Sequence, residues 1–252
     1  MIGISSPLFS LQPFRDIAPI VIDHFQLWEV VAEGEHDLNI IKDHITELQD
    51  QGIEFQIHAP QSDINITSID QHIKEYSINR IVGVVEAAHE LGISTVTIHP
   101  GHLSPLGIHM KEKVLERNRV SVAAIWKRVK DLNPMVCLEN MPRSWATICQ
   151  VPEEWTGAVE GTGFKLCLDL GHANTRGLLS DFLKHIQMVG NIHIHDNMGR
   201  TDEHLVVGQG TIDFAMVGKA LEGYTGNIII ESRGLDHGLQ SLQAIDRMLP
   251  GL

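Results

Sequence analysis

Residues 165–172 read Lys-Leu-Cys-Leu-Asp-Leu-Gly-His, the pattern of a short buried strand that ends in two side chains able to bind a metal ion. Successive side chains of a strand point to opposite faces, so Cys167 and Asp169 would share one face while Leu166 and Leu168 share the other. The same alternation of polar and aliphatic residues recurs along the chain. A strand with one polar face and one aliphatic face lies between two different environments, one on each side of the sheet.

Seven further apolar runs resemble this one, and helix-period segments separate most of them. The eight predicted strands cover residues 2–4, 25–30, 54–58, 95–99, 135–139, 165–169, 191–195 and 228–231. The clearest helices are predicted at residues 69–91, with Gly92 as the C-cap, and at residues 111–129. Strands that alternate with helices predict a parallel sheet with the helices packed outside it.

The two faces of the strands indicate how this sheet closes. In a barrel one strand face points to the interior and the other packs against the helices, so we expect the aliphatic face to contact the helices. The chain has 252 residues, the length of one barrel of about 250 residues. The sequence therefore predicts an α/β fold with a single domain over residues 1–252, a (β/α)8 TIM barrel.

Side chains of the metal-ligand type stand where these strands end, which is where (β/α)8 barrels carry their chemistry. There are nine of them: His58, His99, Glu139, Asp169, His172, His193, Asp202, His204 and Glu231. Imidazoles and carboxylates without a thiolate favour zinc, manganese or iron over calcium or magnesium. One ion takes roughly four to six ligands, so the set predicts two or three ions with Glu139 as a bridge.

The overall composition excludes several classes of protein. A net charge of −13 argues against extensive nucleic-acid binding, which normally uses clustered lysine and arginine. No apolar run approaches the roughly 20 residues of a membrane span, and no secretory signal is recognisable, so we expect a cytoplasmic protein. The three cysteines do not form a disulfide framework. Histidines on helix-like or loop segments, His36 among them, are interpreted as surface residues.

The motifs around the nine residues resemble those of the xylose isomerase-like, AP endonuclease family 2 barrels, a family that includes endonuclease IV and many sugar isomerases and epimerases. The resemblance rests on His58-Ala59-Pro60, His99-Pro100-Gly101, Leu138-Glu139-Asn140, Cys167-Leu168-Asp169-Leu170-Gly171-His172, His193-Ile194-His195-Asp196, Asp202-Glu203-His204, Gly208-Gln209-Gly210 and Glu231-Ser232. These motifs run through nearly the whole chain.

The resemblance implies two activities. All nine residues match ligands of the trinuclear zinc site of endonuclease IV, which implies hydrolysis of a phosphate ester. In the isomerases and epimerases, the residues that match Glu139, Asp169, His193 and Glu231 hold one metal. There Glu139 and Glu231 would move a proton beside a carbonyl. The catalytic residues are therefore predicted to be Glu139, Glu231 and His172, and the substrate contacts Glu29, Arg200 and His195.

Several features depart from the DNA repair enzymes. The loop between His193 and Asp202 is shorter, Gln61 stands where those enzymes have a tyrosine wedge, and no basic loop is present. Glutamine does not stack into a duplex as an aromatic ring does. We favour an endonuclease IV-like phosphoesterase that acts on abasic-site DNA or a small phosphorylated sugar. The alternatives are a metal-dependent sugar or sugar-phosphate isomerase or epimerase, and a metal- or ligand-binding barrel without turnover.

Overall fold

The structure, a computed structural model, describes residues 1–250 and contains a closed barrel of eight parallel strands in chain order. The strands are β1 (Ile2–Ser5), β2 (Leu27–Val31), β3 (Glu54–His58), β4 (Thr95–Ile98), β5 (Met135–Glu139), β6 (Lys165–Asp169), β7 (Val189–Ile194) and β8 (Asn227–Glu231). Pairing of β1 with β8 closes the barrel. The predicted (β/α)8 fold is confirmed.

Helices surround the barrel: α1 (Phe14–Ile22), α2 (Leu38–Gln49), α3 (Gln71–Glu90), α4 (Lys111–Val129), α5 (Pro152–Ala158), α6 (Leu170–Thr175), α7 (Leu179–Leu183), α8 (Phe214–Ala220) and α9 (Leu235–Met248). The Asp70 carboxylate caps α3 by accepting hydrogen bonds from the backbone N–H groups of His72 and Ile73. Gly92, just after this helix, has φ +68°, the left-handed conformation that glycine adopts most easily. Both predicted helices are present, and α4 has the predicted bounds.

Hydrogen bonds across the barrel show that the polar strand face is the interior one. Glu29 on β2 accepts hydrogen bonds from Thr97 on β4 (3.2 Å) and from Asn191 on β7 (2.9 Å), and strands that are not neighbours meet only inside the barrel. The alternate residues, such as Ile98 and Leu138, belong to the hydrophobic core shared with the helices. The predicted direction of each face is confirmed.

The strand register brings the predicted ligands to one end of the barrel. Asp169 at the end of β6 pairs with His193 on β7, and Glu231 at the end of β8 pairs with Ser5 on β1. Parallel strands all end at the same edge, so side chains far apart in the sequence meet at one mouth. No helix within residues 1–250 is long and apolar enough to cross a membrane.

His36 is not a surface residue, and that interpretation of the sequence is wrong. It is 1% exposed and lies against the rings of Phe14 (5.2 Å between centroids) and Trp28 (5.7 Å). Burial lowers the pKa of this imidazole from 6.5 to about 4, although a hydrogen bond to the backbone of Gln12 partly opposes the shift. His36 is therefore neutral in the folded protein at neutral pH.

This burial predicts a pH-dependent loss of stability. The pKa of His36 is lower in the folded than in the unfolded state, so its contribution is complete above about pH 6.5 and is lost as the pH falls toward 4. Between pH 7 and pH 5 the free energy of unfolding should fall by roughly 2 kcal/mol more in the wild type than in a His36→Leu variant. Urea denaturation at several pH values measures this difference. The exposed His24→Leu variant is the control and should behave as the wild type.

Candidate metal centre

All nine predicted ligands lie at the mouth of the barrel, in three neighbouring groups within which the ligand atoms are no more than 4.8 Å apart. The first group is His58, His99 and Glu139; the second is Glu139, Asp169, His193 and Glu231; the third is His172, His195, Asp202 and His204. Glu139 belongs to two groups. The third group contains a histidine, His195, that was not among the nine.

The first group is built on one oxygen of Glu139. Its Oε2 lies 3.3 Å from His58 Nε2 and 3.1 Å from His99 Nε2. In a tetrahedral zinc site, bonds of about 2.0–2.1 Å place neighbouring ligand atoms about 3.3 Å apart. The observed separations fit one ion between the three side chains.

The second group uses the other oxygen of the same carboxylate. Glu139 Oε1 lies 3.4 Å from His193 Nδ1, and that nitrogen lies 3.2 Å from Glu231 Oε1. Glu139 and His193 are almost completely buried, while the Glu231 side chain is 11% exposed. Glu231 is thus the carboxylate of this group that faces the open mouth.

Asp202 is the centre of the third group. Its Oδ2 lies 3.2 Å from His172 Nε2 and 3.1 Å from His204 Nε2, while its Oδ1 lies 3.4 Å from His195 Nε2. His204 has φ +49°, an uncommon backbone conformation for a residue other than glycine. The loop after β7 adopts this conformation where the His204 ring meets Asp202, and such strain is typical of functional sites.

Hydrogen bonds on the far side of the rings fix which nitrogen is free. His58 Nδ1 is 2.8 Å from the carbonyl oxygen of Ala59, and His172 Nδ1 is 2.8 Å from that of Asn140. A carbonyl oxygen only accepts, so each Nδ1 carries the proton and donates it. In the neutral ring the lone pair is then on Nε2, which faces its group, as a metal ligand requires.

Several buried atoms of the three groups have no hydrogen-bond partner of good geometry within residues 1–250. They are Glu139 Oε1, Asp169 Oδ2, His193 Nδ1, His195 Nε2 and Asp202 Oδ1. Buried polar atoms are normally satisfied, because an unpaired one loses its interaction with water. These atoms belong to the three ligand groups, and divalent cations held there would satisfy them.

The charges of the mouth compensate one another. Burial opposes ionisation of Glu139, yet His193 and His99 hold the pKa of its carboxyl well below the ordinary value. Burial likewise opposes the charged form of His58, yet Glu139 raises the pKa of that imidazole to about 9. The carboxylates therefore create a negative potential that attracts protons and cations alike.

Two residues outside the groups hold the ligands in place. Asn140 clamps the end of β6, because its side chain accepts from the backbone N–H of Asp169 (2.7 Å) and donates to the Asp169 carbonyl (3.0 Å). The buried Asp196 carboxylate accepts from the backbone N–H groups of Gly208 (3.0 Å) and Gly210 (2.8 Å). These bonds fold the loop that carries Asp202 and His204 back over the mouth.

The predicted substrate contacts lie in three different places. Glu29 has no exposed surface and lies below the mouth, where its Oε1 is 2.9 Å from His193 Nε2. The sequence predicted that β2 ends at Val30, which would make Glu29 the last interior residue of the strand. The strand continues to Val31, so Glu29 lies one interior position further from the mouth than expected. Arg200 is exposed in the loop after β7. His195 lies in the third ligand group.

Comparisons with known proteins agree with this architecture. A model of the xylose isomerase-like TIM barrel family matches residues 25–248. An uncharacterized protein of Methanocaldococcus jannaschii is 31% identical over 98% of this chain and 88% of its own length. The crystal structure of a D-tagatose 3-epimerase-like protein has a TM-score of 0.91 at 30% identity, covering 98% of this chain and 96% of that one. Endonuclease IV from Thermus thermophilus shares the fold, with a TM-score of 0.74 at 18% identity over 100% of this chain and 99% of its own.

The position of Glu29 predicts that it supports a ligand. A carboxylate that accepts the outer N–H of a metal-binding histidine orients the ring, and its loss typically weakens metal binding about 10- to 100-fold. We expect Glu29→Gln to weaken zinc binding by that amount, because an amide can present its NH2 group to His193. Competition with a coloured chelator measures the change. Glu54→Gln, an exposed change at the opposite end of β3, is the control, and equal affinity of the two variants would contradict this role.

Proposed function

The chain belongs to the xylose isomerase-like TIM barrel family, and on that premise we propose that it is a phosphoesterase that uses three divalent metal ions. The observation that carries this proposal is the division of the ligands into three adjoining groups, two of which share Glu139. A single-ion enzyme needs only one of these groups. Ions held there would supply the positive charge that activates water and stabilises the entering and leaving oxygens of a phosphoryl displacement.

The residues of the second group have different tasks in this reaction. Glu139 is 1% exposed and directs one oxygen to the first group and the other to the second, so it holds both in a fixed relation. Glu231 is partly exposed; burial opposes its ionisation, but His193 lowers the pKa of its carboxyl to about 2. Ionised at neutral pH and open to the mouth, Glu231 fits a ligand that holds an ion beside the attacking water.

The mouth favours a small substrate over duplex DNA. Three ligand side chains, those of Asp202, His99 and His204, are between 20% and 28% exposed, so they lie at the surface of the mouth. The net charge of −13 repels a long polyanion, and Gln61 offers no aromatic ring to insert between bases. We therefore place a small phosphorylated sugar ahead of an abasic-site duplex as the substrate.

The second candidate function is epimerisation of a sugar, and one observation favours it. The D-tagatose 3-epimerase-like protein covers nearly all of this chain at a TM-score of 0.91. The second group alone would support this chemistry, because Glu139 and Glu231 both lie within 3.4 Å of His193 Nδ1. One carboxylate would remove the proton beside a carbonyl and the other would return it from the opposite face.

The phosphoesterase proposal predicts metal-dependent hydrolysis. Protein loaded with zinc or manganese should release phosphate from one or more sugar phosphates, or cut a duplex at a single abasic site. Glu139→Gln should lower this rate at least about 100-fold, because the first and second groups both lose a ligand. Phosphate release and gel electrophoresis are the measurements. A fully metallated wild type that leaves all these esters intact would contradict the proposal.

A variant of the first group separates the two candidate functions. His99→Asn removes a partly exposed ligand of the first group and leaves the second group complete. A phosphoesterase should lose at least about 10-fold in rate, whereas an epimerase should keep its rate of ketose conversion and of proton exchange with solvent. His109→Asn, an exposed change in the same loop, is the control. Unchanged hydrolysis by His99→Asn would show that the reaction does not require an ion in the first group.

A further inference from the structure

His195 stands in the third group with one ring nitrogen turned toward carboxylates. It is completely buried, and its Nε2 lies 3.4 Å from Asp202 Oδ1 and 3.2 Å from Asp169 Oδ1. Both His195 Nε2 and Asp202 Oδ1 are without a hydrogen-bond partner of good geometry among the described residues. A cation between them would satisfy both atoms.

The other ring nitrogen indicates which tautomer of a neutral His195 would be present. Its Nδ1 faces the carbonyl oxygen of Asp196 at 3.3 Å, and a carbonyl oxygen only accepts. In the neutral ring the proton is therefore on Nδ1, and Nε2 has a lone pair. Two carboxylate oxygens face Nε2, so it has to hold either a proton or a metal ion there, and a metal ion would also satisfy Asp202 Oδ1.

Gly171 makes the space that this ring occupies. A Cβ atom at Gly171 would overlap the ring of His195, so no larger residue fits at position 171 with the ring in this place. The conformation of Gly171 does not require glycine, because its φ is outside the left-handed region. Gly171 is therefore needed so that the His195 ring can pack against this turn.

We propose that His195 is the fourth protein ligand of an ion in the third group, which closes this position while the first group keeps an open one. The inference rests on metal binding, as the proposed function does, but not on which reaction is catalysed. Structural zinc sites have four protein ligands, whereas catalytic sites have three and leave a position for water or substrate. The first group has three protein ligands, His58, His99 and Glu139.

The closed position gives the third ion a different task from the ion of the first group. Two of its ligands, Asp202 and His204, come from the loop after β7, and the other two are His195, directly after β7, and His172 on α6. Four protein ligands would tie this loop to the barrel and slow the release of the ion. Substrate would then meet the ion of the first group, beside Glu139.

Counting ions during chelation tests the proposal without any substrate. Zinc-loaded wild type is dialysed against a chelator, and the zinc that remains is followed by atomic emission. The first group has three protein ligands, whereas the second and third groups would each have four, so we expect one ion per chain to leave at least about 10-fold faster than the other two. His195→Asn and His204→Asn should each move a second ion into the fast phase, while His99→Asn should leave both slow ions in place. Because no turnover is measured, inactivity toward phosphate esters would not affect these counts.

A second variant keeps every ligand in the sequence. Gly171→Ala should displace the His195 ring and move a second ion into the fast phase, as His195→Asn does. Thermal unfolding of the zinc-loaded variants confirms that each is folded. Cobalt substitution gives a spectroscopic check, because four-coordinate cobalt absorbs strongly in the visible range. Two slow ions that remain in His195→Asn, a wild type with fewer than two slow ions, or a His195→Asn variant that loses the ion removed by Glu231→Gln would each overturn the proposal.

Discussion

The structure depends on charge compensation around one buried carboxylate. Glu139 is 1% exposed, and imidazoles from four separate segments surround it: His58 at 3.3 Å, His99 at 3.1 Å, His172 at 3.3 Å and His193 at 3.4 Å. Burying this carboxylate without a charged partner would cost several kcal/mol of folding free energy. The carboxylate and the imidazoles that pair with it therefore have to lie together. Parallel strands that end at one mouth bring them together, because His58, His99 and His193 lie at or beside the ends of β3, β4 and β7, while His172 lies on α6 just after β6.

The ligands are held by the backbone as much as by one another. Carbonyl oxygens of Ala59 and Asn140 fix the rings of His58 and His172, and these carbonyls belong to residues directly after the strands. Asp196 gathers the loop that follows β7 through backbone N–H groups. A rigid barrel thus fixes the side chains from β3 to β8, while a hydrogen-bonded loop brings Asp202 and His204 to the same place.

The fold alone does not decide the reaction. Both a D-tagatose 3-epimerase-like protein and endonuclease IV share this barrel, and barrels of one architecture support many chemistries. The number of ligand groups carries more information. The second group would be enough for a single-ion epimerase, but the first and third groups gather further imidazole and carboxylate donors that only additional ions would require. That requirement is the physical argument for the phosphoesterase.

The sequence by itself determined the barrel, the bounds of α4, the interior face of the strands and the nine side chains that meet at its mouth. Most of these follow from the period of two along a strand and from the helix period, which are local properties, whereas Asp202 and His204 lie in the loop after β7 and follow from their motif. Only the tertiary structure decided that His36 is buried, that Glu29 lies below His193, and that His195 joins the third group beside Gly171. Such contacts depend on strand register and on which rings meet across the barrel, and no local period encodes the distance between residues on different strands.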